Sequence, residues 1–167
     1  SFALKPFLFF DHERNELLSV DGLKLTTEWE PETMAYSFSD RAWHLRQWSF
    51  PQFPVDYLID RFGYFKEMAI VHDLRYNKLV LFGGISLEGV LDTVAEISLR
   101  TSVGKFNFGG MGANSGDVPT GPGPRSNMAV YHDGWSGRVF LMGGYDRTGT
   151  MHNDLWECGD LPGLFTV

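Results

Sequence analysis

A segment of seventeen residues occurs twice in this chain, sixty positions apart, and the two copies align without a gap. Residues 68–84 read MAIVHDLRYNKLVLFGG and residues 128–144 read MAVYHDGWSGRVFLMGG, with both glycines, the His-Asp pair and the initial Met-Ala identical. A third and weaker copy, residues 8–22, aligns with the first of these at an offset of 62. Self-similarity at a long fixed period indicates one supersecondary unit used repeatedly, which constrains the fold before any single residue does.

Each copy consists of two short apolar runs joined by a polar stretch. The first run ends at His-Asp, and the second run stops at a glycine pair, Gly83-Gly84 or Gly143-Gly144. Apolar runs of this length, bounded by Asp, Asn and Gly, predict a strand, a turn and a second strand. We expect the glycine pair to allow a sharp exit from the second strand, because glycine adopts backbone angles that a Cβ atom forbids.

Further strands follow each repeated segment. Residues 92–96 (DTVAE) and 153–157 (NDLWE) align after a one-residue insertion and predict a third strand in each copy. The same pattern supplies the remaining strands at residues 33–38, 42–48, 104–108 and 164–167. The sequence therefore predicts an all-β chain of three four-stranded units, and its 19 Gly and 8 Pro argue against long helices.

The last copy resembles the kelch repeat, whose marks are an apolar strand, a turn, an apolar strand ending in Gly-Gly, and an Asn-Asp-Leu-Trp-like strand. Residues 124–157 carry nearly all of these marks, while the second copy has DTVA instead of NDLW and the first has Asp-Gly instead of the glycine pair. The resemblance implies a β-propeller with one blade per copy, and it places Trp43 and Trp156 where blades pack, so that we expect both in a core. The implied divisions are a divergent blade at 1–50, a connector at 51–65, a blade at 66–108, a Gly/Pro-rich connector at 109–123 and a blade at 124–167.

Three blades are too few to close a propeller, which typically has about four to eight. An open set would leave the apolar face or edge of each end blade uncovered. We therefore expect a partial propeller whose missing blades come from the rest of a longer chain or from a partner. The start at Ser1, without a methionine, and the apolar last residues favour a fragment of a longer protein.

Composition excludes two classes of partner. The net charge is −7, whereas binding to nucleic acid needs a basic surface that displaces counterions from phosphates. The Phe-rich residues 2–10 are too short to span a bilayer and lack the flanks of a signal peptide. A single cysteine, Cys158, excludes an internal disulfide framework and favours an intracellular, cytoplasmic location.

Residues that could suggest catalysis have a simpler interpretation. His72-Asp73 and His132-Asp133 recur at the mouth of a hairpin turn, where Asp caps its own backbone, whereas a zinc site needs three or four converging ligands. The glycine-rich connector matches neither the P-loop nor the dinucleotide-binding pattern. Cys158 follows the Trp-bearing strand and is interpreted as a structural thiol. We therefore predict no catalytic residue, no cofactor and no metal site.

The candidate binding residues lie in loops. The loops at residues 21–32, 85–91 and 145–152 vary in length and composition while the strands stay regular, which is how a scaffold carries function. Propellers of the kelch family commonly grip a protein partner at that end. The candidate partner-binding residues are Glu88, Arg125, Tyr145, Arg147 and His152. The apolar residues 50–59 have two interpretations, docking on an absent domain or partner and packing beneath their own blade.

We expect a non-enzymatic, kelch-type interaction module, or a structural subunit of a larger assembly, that binds protein and neither nucleic acid nor membrane. The alternative is a segment of a propeller enzyme or carbohydrate-active protein. An oxidase-like enzyme would require Tyr, Cys and His near the ring axis, and a sugar epimerase-like enzyme would require Arg, His and Glu there. A substrate-recognition arm of a ubiquitin-ligase adaptor is a third possibility and would require an upstream dimerisation domain.

Overall fold

Three four-stranded antiparallel sheets account for most of the computed structural model, which describes residues 7–20, 23–24, 33–52, 54–112, 120–159 and 165–166. The strands are β1 (Phe7–Asp11), β2 (Glu16–Val20), β3 (Leu23–Lys24), β4 (Thr33–Ser37), β5 (Ala42–Leu45), β6 (Tyr64–Phe65), β7 (Ala69–Asp73), β8 (Lys78–Phe82), β9 (Ile85–Ser86), β10 (Gly89–Val90), β11 (Val94–Ser98), β12 (Gly104–Asn107), β13 (Ala129–Asp133), β14 (Arg138–Met142), β15 (Leu155–Cys158) and β16 (Phe165–Thr166). The prediction of an all-β chain is confirmed at this level. Most of the predicted loop 21–32, residues 113–119 of the glycine-rich connector and residues 160–164 lie outside the described residues.

In each sheet the strands are arranged in the order in which they occur along the chain. Sheet 1 has the order β1-β2-β4-β5, sheet 2 the order β7-β8-β11-β12, and sheet 3 the order β13-β14-β15-β16. Two short two-stranded sheets, β3 with β6 and β9 with β10, lie in the connections. The three copies of the repeat therefore fold into three sheets of one topology.

A hairpin capped by aspartate opens each sheet. Oδ1 of Asp73 accepts a hydrogen bond from the N–H of Arg75 at 3.0 Å, and Oδ1 of Asp133 accepts one from the N–H of Trp135 at 3.1 Å. Asp11 accepts the corresponding bond from the N–H two residues later, also at 3.1 Å. The repeated aspartate thus serves the turn, because its carboxylate satisfies backbone N–H groups that the ladder leaves unpaired.

The glycine pairs allow the incoming connector to cross the end of the sheet. Gly84 has a φ of +99°, and its N–H donates to the carbonyl oxygen of Arg125 at 2.8 Å. A Cβ atom on Gly83 would lie 2.1 Å from that same carbonyl oxygen. In the third sheet a Cβ atom on Gly144 would lie 2.7 Å from the carbonyl oxygen of Ser126, just as one on Gly84 would lie 2.7 Å from that of Lys66. Both the backbone angle and the close approach require glycine.

Sheet 2 lies between the other two sheets and is buried on both faces. Its side chains alternate between the two cores, as the period of a strand dictates. The core shared with sheet 1 contains Leu18, Val20 and Ala35 of sheet 1 with Ile70, Leu79, Leu81, Ala95 and Ile97 of sheet 2. The core shared with sheet 3 contains Ala69, Val71, Val80, Phe82 and Val94 of sheet 2 with Val139, Leu141, Trp156 and Cys158 of sheet 3.

The connector before sheet 2 contains an α-helix that the sequence pattern did not predict. Helix α1 (Val55–Phe62) has eight residues, too few for a clear helical period. Phe50 before the helix stacks on Phe106 of sheet 2, with ring centroids 4.5 Å apart, and Phe62 stacks on Phe108 at 4.9 Å. Phe50 and Leu58 of the apolar segment 50–59 are therefore packed in the core next to sheet 2, as the second interpretation predicts for them. In the part of the chain that the structure describes, no helix has the length and apolar character of a membrane span.

The two tryptophans expected in a core have different environments. Trp156 is buried between sheets 2 and 3, whereas Trp43 is 51% exposed on a face that no sheet among the described residues covers. Trp43 pairs with Tyr36 in the register of β4 and β5, and both lie on the face of sheet 1 that points away from sheet 2. Trp48, three residues after β5, is buried, and its Nε1 donates to Oγ1 of Thr33 at 3.0 Å.

Candidate functional site

The loops that follow the two glycine pairs contact each other. The loop at residues 85–91 folds into the small hairpin β9–β10, and the loop at residues 145–152 is closed by a bridge between Tyr145 and Met151. Nε of Arg147 donates to the carbonyl oxygen of Val90 at 3.0 Å. Neighbouring sheets therefore join their loops at the end of the strands that is opposite to the hairpin turns.

Asp146 holds the second of these loops in one conformation. Its carboxylate accepts hydrogen bonds from the N–H groups of Thr148 at 2.8 Å and Thr150 at 3.1 Å, and from Oγ1 of Thr148 at 2.6 Å. It also contacts Nε2 of His152 at 2.9 Å. These bonds, with that from Thr148 the largest cause, hold the pKa of Asp146 well below its usual range. His152 is thus part of the internal bracing of the loop.

Arg125 connects the residues on either side of the same loop, Gly143 and Asp154. Its side chain is 2% exposed, and its guanidinium binds both carboxylate oxygens of Asp154, with Nη2 and Oδ2 2.7 Å apart. Nη1 also donates to the carbonyl oxygen of Gly143 at 3.2 Å. The expectation that Arg125 is exposed to a partner is therefore wrong, because the residue lies beneath the glycine pair where the connector crosses the sheet.

The carboxylate of Asp154 is shared between two donors. Nε1 of Trp156 donates to Oδ2 of Asp154 at 2.7 Å, beside the bond from Arg125. Hydrogen bonding to Arg125 is the main cause that lowers the pKa of Asp154 to about 2. The ionised carboxylate of Asp154 thus links Arg125 of the connector to Trp156 of strand β15.

Helix α1 contributes residues that the sequence pattern did not indicate. Nε of Arg61 lies 2.7 Å from Oε1 of Glu88, so that the helix is tied to the loop at residues 85–91. The guanidinium of Arg61 also donates to the hydroxyl of Tyr57, one helical turn away. The spacing of Tyr57 and Arg61 was the available signal, but it required a helix in a segment without a helical pattern.

We call this end of the molecule the loop surface. Its exposed side chains mix aromatic, apolar and charged groups. They are Tyr57, Arg61, Leu87, Glu88, Tyr145, Arg147 and Met151. Of the candidate partner-binding residues, Glu88, Tyr145 and Arg147 therefore lie exposed at one end, while Arg125 and His152 serve the loops from within.

An open cavity of about 560 Å³ lies at the opposite end, beside the hairpin turns. It is lined by one histidine from each unit, His12, His72 and His132, together with apolar residues of β1. Nε2 of His72 is paired with Oδ1 of Asn77 at 2.9 Å, and the ring of His72 packs edge-on against Phe9. Among the described residues, no group of three or more His, Cys, Asp or Glu side chains is arranged to hold a metal ion.

Comparison with known proteins adds no further assignment. The chain matches no protein-family model, and no curated protein is similar to it at a significant level. Cys158, the thiol that an oxidase-like site would use, is buried in the core between sheets 2 and 3. The loop surface combines exposed side chains with loops that hydrogen bonds hold in one conformation.

Proposed function

We propose that this chain is a kelch-type β-propeller segment that acts as a non-enzymatic protein–protein interaction module, or as a structural subunit of a larger assembly. The proposal is supported by three repeated sheets of one topology that stack face to face, with four antiparallel strands in each. The first strands of sheets 2 and 3, β7 and β13, also approach each other. Stacked four-stranded sheets whose first strands approach each other fit the radial repetition of a propeller.

The observation that carries the functional part is the joining of two loops by Arg147 and Val90. Loops that are braced by buried and ionised groups bind with little loss of conformational entropy. Asp146 accepts hydrogen bonds from backbone amides of the loop at residues 145–152, and Arg125 binds Asp154 just after that loop. A preorganised surface at the loop end of a regular scaffold is typical of a recognition site.

The chemistry of the loop surface fits a protein partner. Tyr145 and Arg147 are of the residue types that most often dominate binding energy at interfaces. The pair of Arg61 and Glu88 places both signs of charge beside them, which suits a partner of mixed polarity. The net charge of −7 makes a nucleic acid an unfavourable partner.

The test is affinity capture from a cell extract with the chain and a double variant, Tyr145→Ala with Arg147→Glu. The matched control is Trp135→Ala with Lys105→Glu, which likewise replaces an aromatic residue by alanine and a basic residue by glutamate, at exposed positions away from the loop surface. We expect a defined protein to be lost with the loop variant, retained with the control, and bound directly when purified. If every captured protein is bound equally by both variants, the loop surface is not the recognition site.

A further inference from the structure

The outer faces of the two end sheets are apolar and exposed. The outer face of sheet 1, which points away from sheet 2, carries Leu8, Phe10, Met34, Trp43 and Leu45. The outer face of sheet 3 carries Tyr131, Met142 and Leu155. Rows of exposed large apolar side chains on regular strands mark a surface that another element covers.

The internal repeat identifies what each face is shaped to contact. At the offset of 62, Leu8 occupies the position of Ile70, which is 4% exposed in the core between sheets 1 and 2, whereas Leu8 is 62% exposed. At the offset of sixty, Met142 occupies the position of Phe82, which is fully buried between sheets 2 and 3, whereas Met142 is 53% exposed. The outer face of sheet 1 is therefore the counterpart of the face that receives a preceding sheet, and the outer face of sheet 3 is the counterpart of the face that receives a following sheet.

An ion pair is also present at equivalent positions of sheets 2 and 3, largely buried on sheet 2 and more exposed on sheet 3. Lys78 and Glu96 on sheet 2 are 3.3 Å apart with side chains 18% and 14% exposed, because sheet 3 covers them. The equivalent pair on sheet 3, Arg138 and Glu157, is also 3.3 Å apart, but its side chains are 58% and 32% exposed. The outer face of sheet 3 thus keeps the charge arrangement of a covered face.

We propose that the outer face of sheet 3 packs on the outer face of sheet 1 in a second copy of this chain, and that two copies close a ring of six sheets. In this contact, sheet 3 and sheet 1 use the same faces that sheet 2 uses to pack on its two neighbours. The inference rests on the propeller arrangement in the proposed function, but its contact surfaces are separate from the loop surface.

The number of copies follows from closure. Each chain supplies three sheets, so that two copies give six and three copies give nine. Propellers typically have about four to eight sheets, which only two copies satisfy. A head-to-tail contact that does not close would leave free faces and build open filaments. Closure in the dimer covers all four outer faces at once.

Sedimentation velocity and native mass spectrometry of the purified chain test the inference at about 10 μM, where a contact with a Kd of about 1 μM is largely formed. We expect a species of twice the 18.9 kDa chain mass. Leu8→Asp and Met142→Asp, each on one outer face, should both give the single-chain mass. Leu74→Asp is the matched control, since Leu74 is 53% exposed in a hairpin turn and should leave the dimer intact.

Mixing the two variants tests the direction of the contact. Leu8→Asp retains a native sheet 3 face and Met142→Asp a native sheet 1 face, so that an equimolar mixture, with one variant labelled with ¹⁵N, should form a mixed dimer through one interface. A mixture that stays monomeric while the wild-type chain dimerises would mean that these two faces do not contact each other, which would overturn the head-to-tail contact. A dimer that persists in both single variants would mean that like faces pair, and it would also overturn the head-to-tail contact.

A wild-type chain that stays monomeric would assign the two faces to sheets other than those of a second copy and overturn the inference outright, whatever the variants do. If that monomer still captured a partner through the loop surface, the proposed function would stand. If the chain were dimeric but had no loop-surface partner, this inference would stand and the proposed function would fail.

Discussion

Arg125 and Asp154 form an ion pair whose arginine is fully enclosed, and the pair links residues 29 positions apart in the chain. The equivalent positions in the second unit, Phe65 and Thr93, are uncharged and also buried. Sheet 3 therefore holds its loop by charge and hydrogen bonding where sheet 2 uses apolar packing. A buried pair of this kind is strongly sensitive to the loss of one partner, although it adds little stability as a whole.

Asp154→Ala should destabilise the chain much more than Arg125→Met. The first change leaves a buried guanidinium without its carboxylate, which costs about 3 kcal/mol, at the lower end for a broken buried pair. The second leaves a carboxylate that is one-third exposed and still accepts from Trp156, so we expect a loss of about 1 kcal/mol.

Urea unfolding of the two single variants and of the double variant measures these free energies. The double variant should be more stable than Asp154→Ala alone, because it removes the unpaired charge together with its lost partner. Equal losses for the two single variants would contradict the enclosure of Arg125.

The free energy of unfolding should depend on pH through Asp154. Its pKa is lowered from 3.8 to about 2 in the folded chain, chiefly by Arg125. The ionised carboxylate therefore stabilises the folded state above pH 3.8, and this contribution is lost as the pH falls from 3.8 to about 2. Urea unfolding at a series of pH values measures this dependence. In this window the free energy of unfolding should change less with pH for Asp154→Asn than for the wild-type chain. Identical slopes would mean that Asp154 titrates alike in both states.

Three glycines should respond differently to alanine. Gly144→Ala should cost more than about 2 kcal/mol, because its φ is +92° and the new Cβ atom would lie 2.7 Å from the carbonyl oxygen of Ser126. Gly149→Ala should cost roughly 1 kcal/mol, since its φ is +80° but its surroundings are open. Gly134→Ala is the control and should change stability by less than about 0.5 kcal/mol, because nothing lies within 4 Å of its Cβ position.

Thermal and urea unfolding give this order directly. Because the three substitutions are chemically identical, the differences among them report only backbone angle and space. A cost for Gly149→Ala as large as that for Gly144→Ala would assign the effect to the angle alone.

The hairpins could be predicted from the sequence because their signals are local. The aspartate that caps a turn and the glycine pair that ends a strand lie within the hairpin that they specify. The third strands followed from alignment of the copies. Helix α1 was missed because eight residues give too short a periodic pattern, and its stability comes from rings such as Phe62 packing on Phe108.

The site could be predicted only in part, because burial depends on contacts that are distant in the chain. Tyr145, Arg147 and Glu88 are in loops and are exposed, but Arg125 is also outside a strand and is enclosed by a partner 29 residues away. Trp43 and Trp156 both lie on strands, and which of them is buried depends on whether another sheet covers its face. Neither of these differences in burial can be recognised from the residues that are neighbours in sequence.

Asp146→Ala should loosen the loop at residues 145–152 without unfolding the protein. The substitution removes the acceptor of the N–H groups of Thr148 and Thr150, so that both amides should exchange with deuterium roughly tenfold faster or more. The midpoint of global unfolding should barely move, because Asp146 is in a surface loop. Asp133→Ala is the matched control: it should speed exchange in the hairpin turn at Trp135 and leave Thr148 and Thr150 unchanged.

If the loop surface binds a protein because it is preorganised, Asp146→Ala should also weaken capture of that partner while Asp133→Ala does not. Faster exchange with unchanged capture would separate the rigidity of the loop from its recognition.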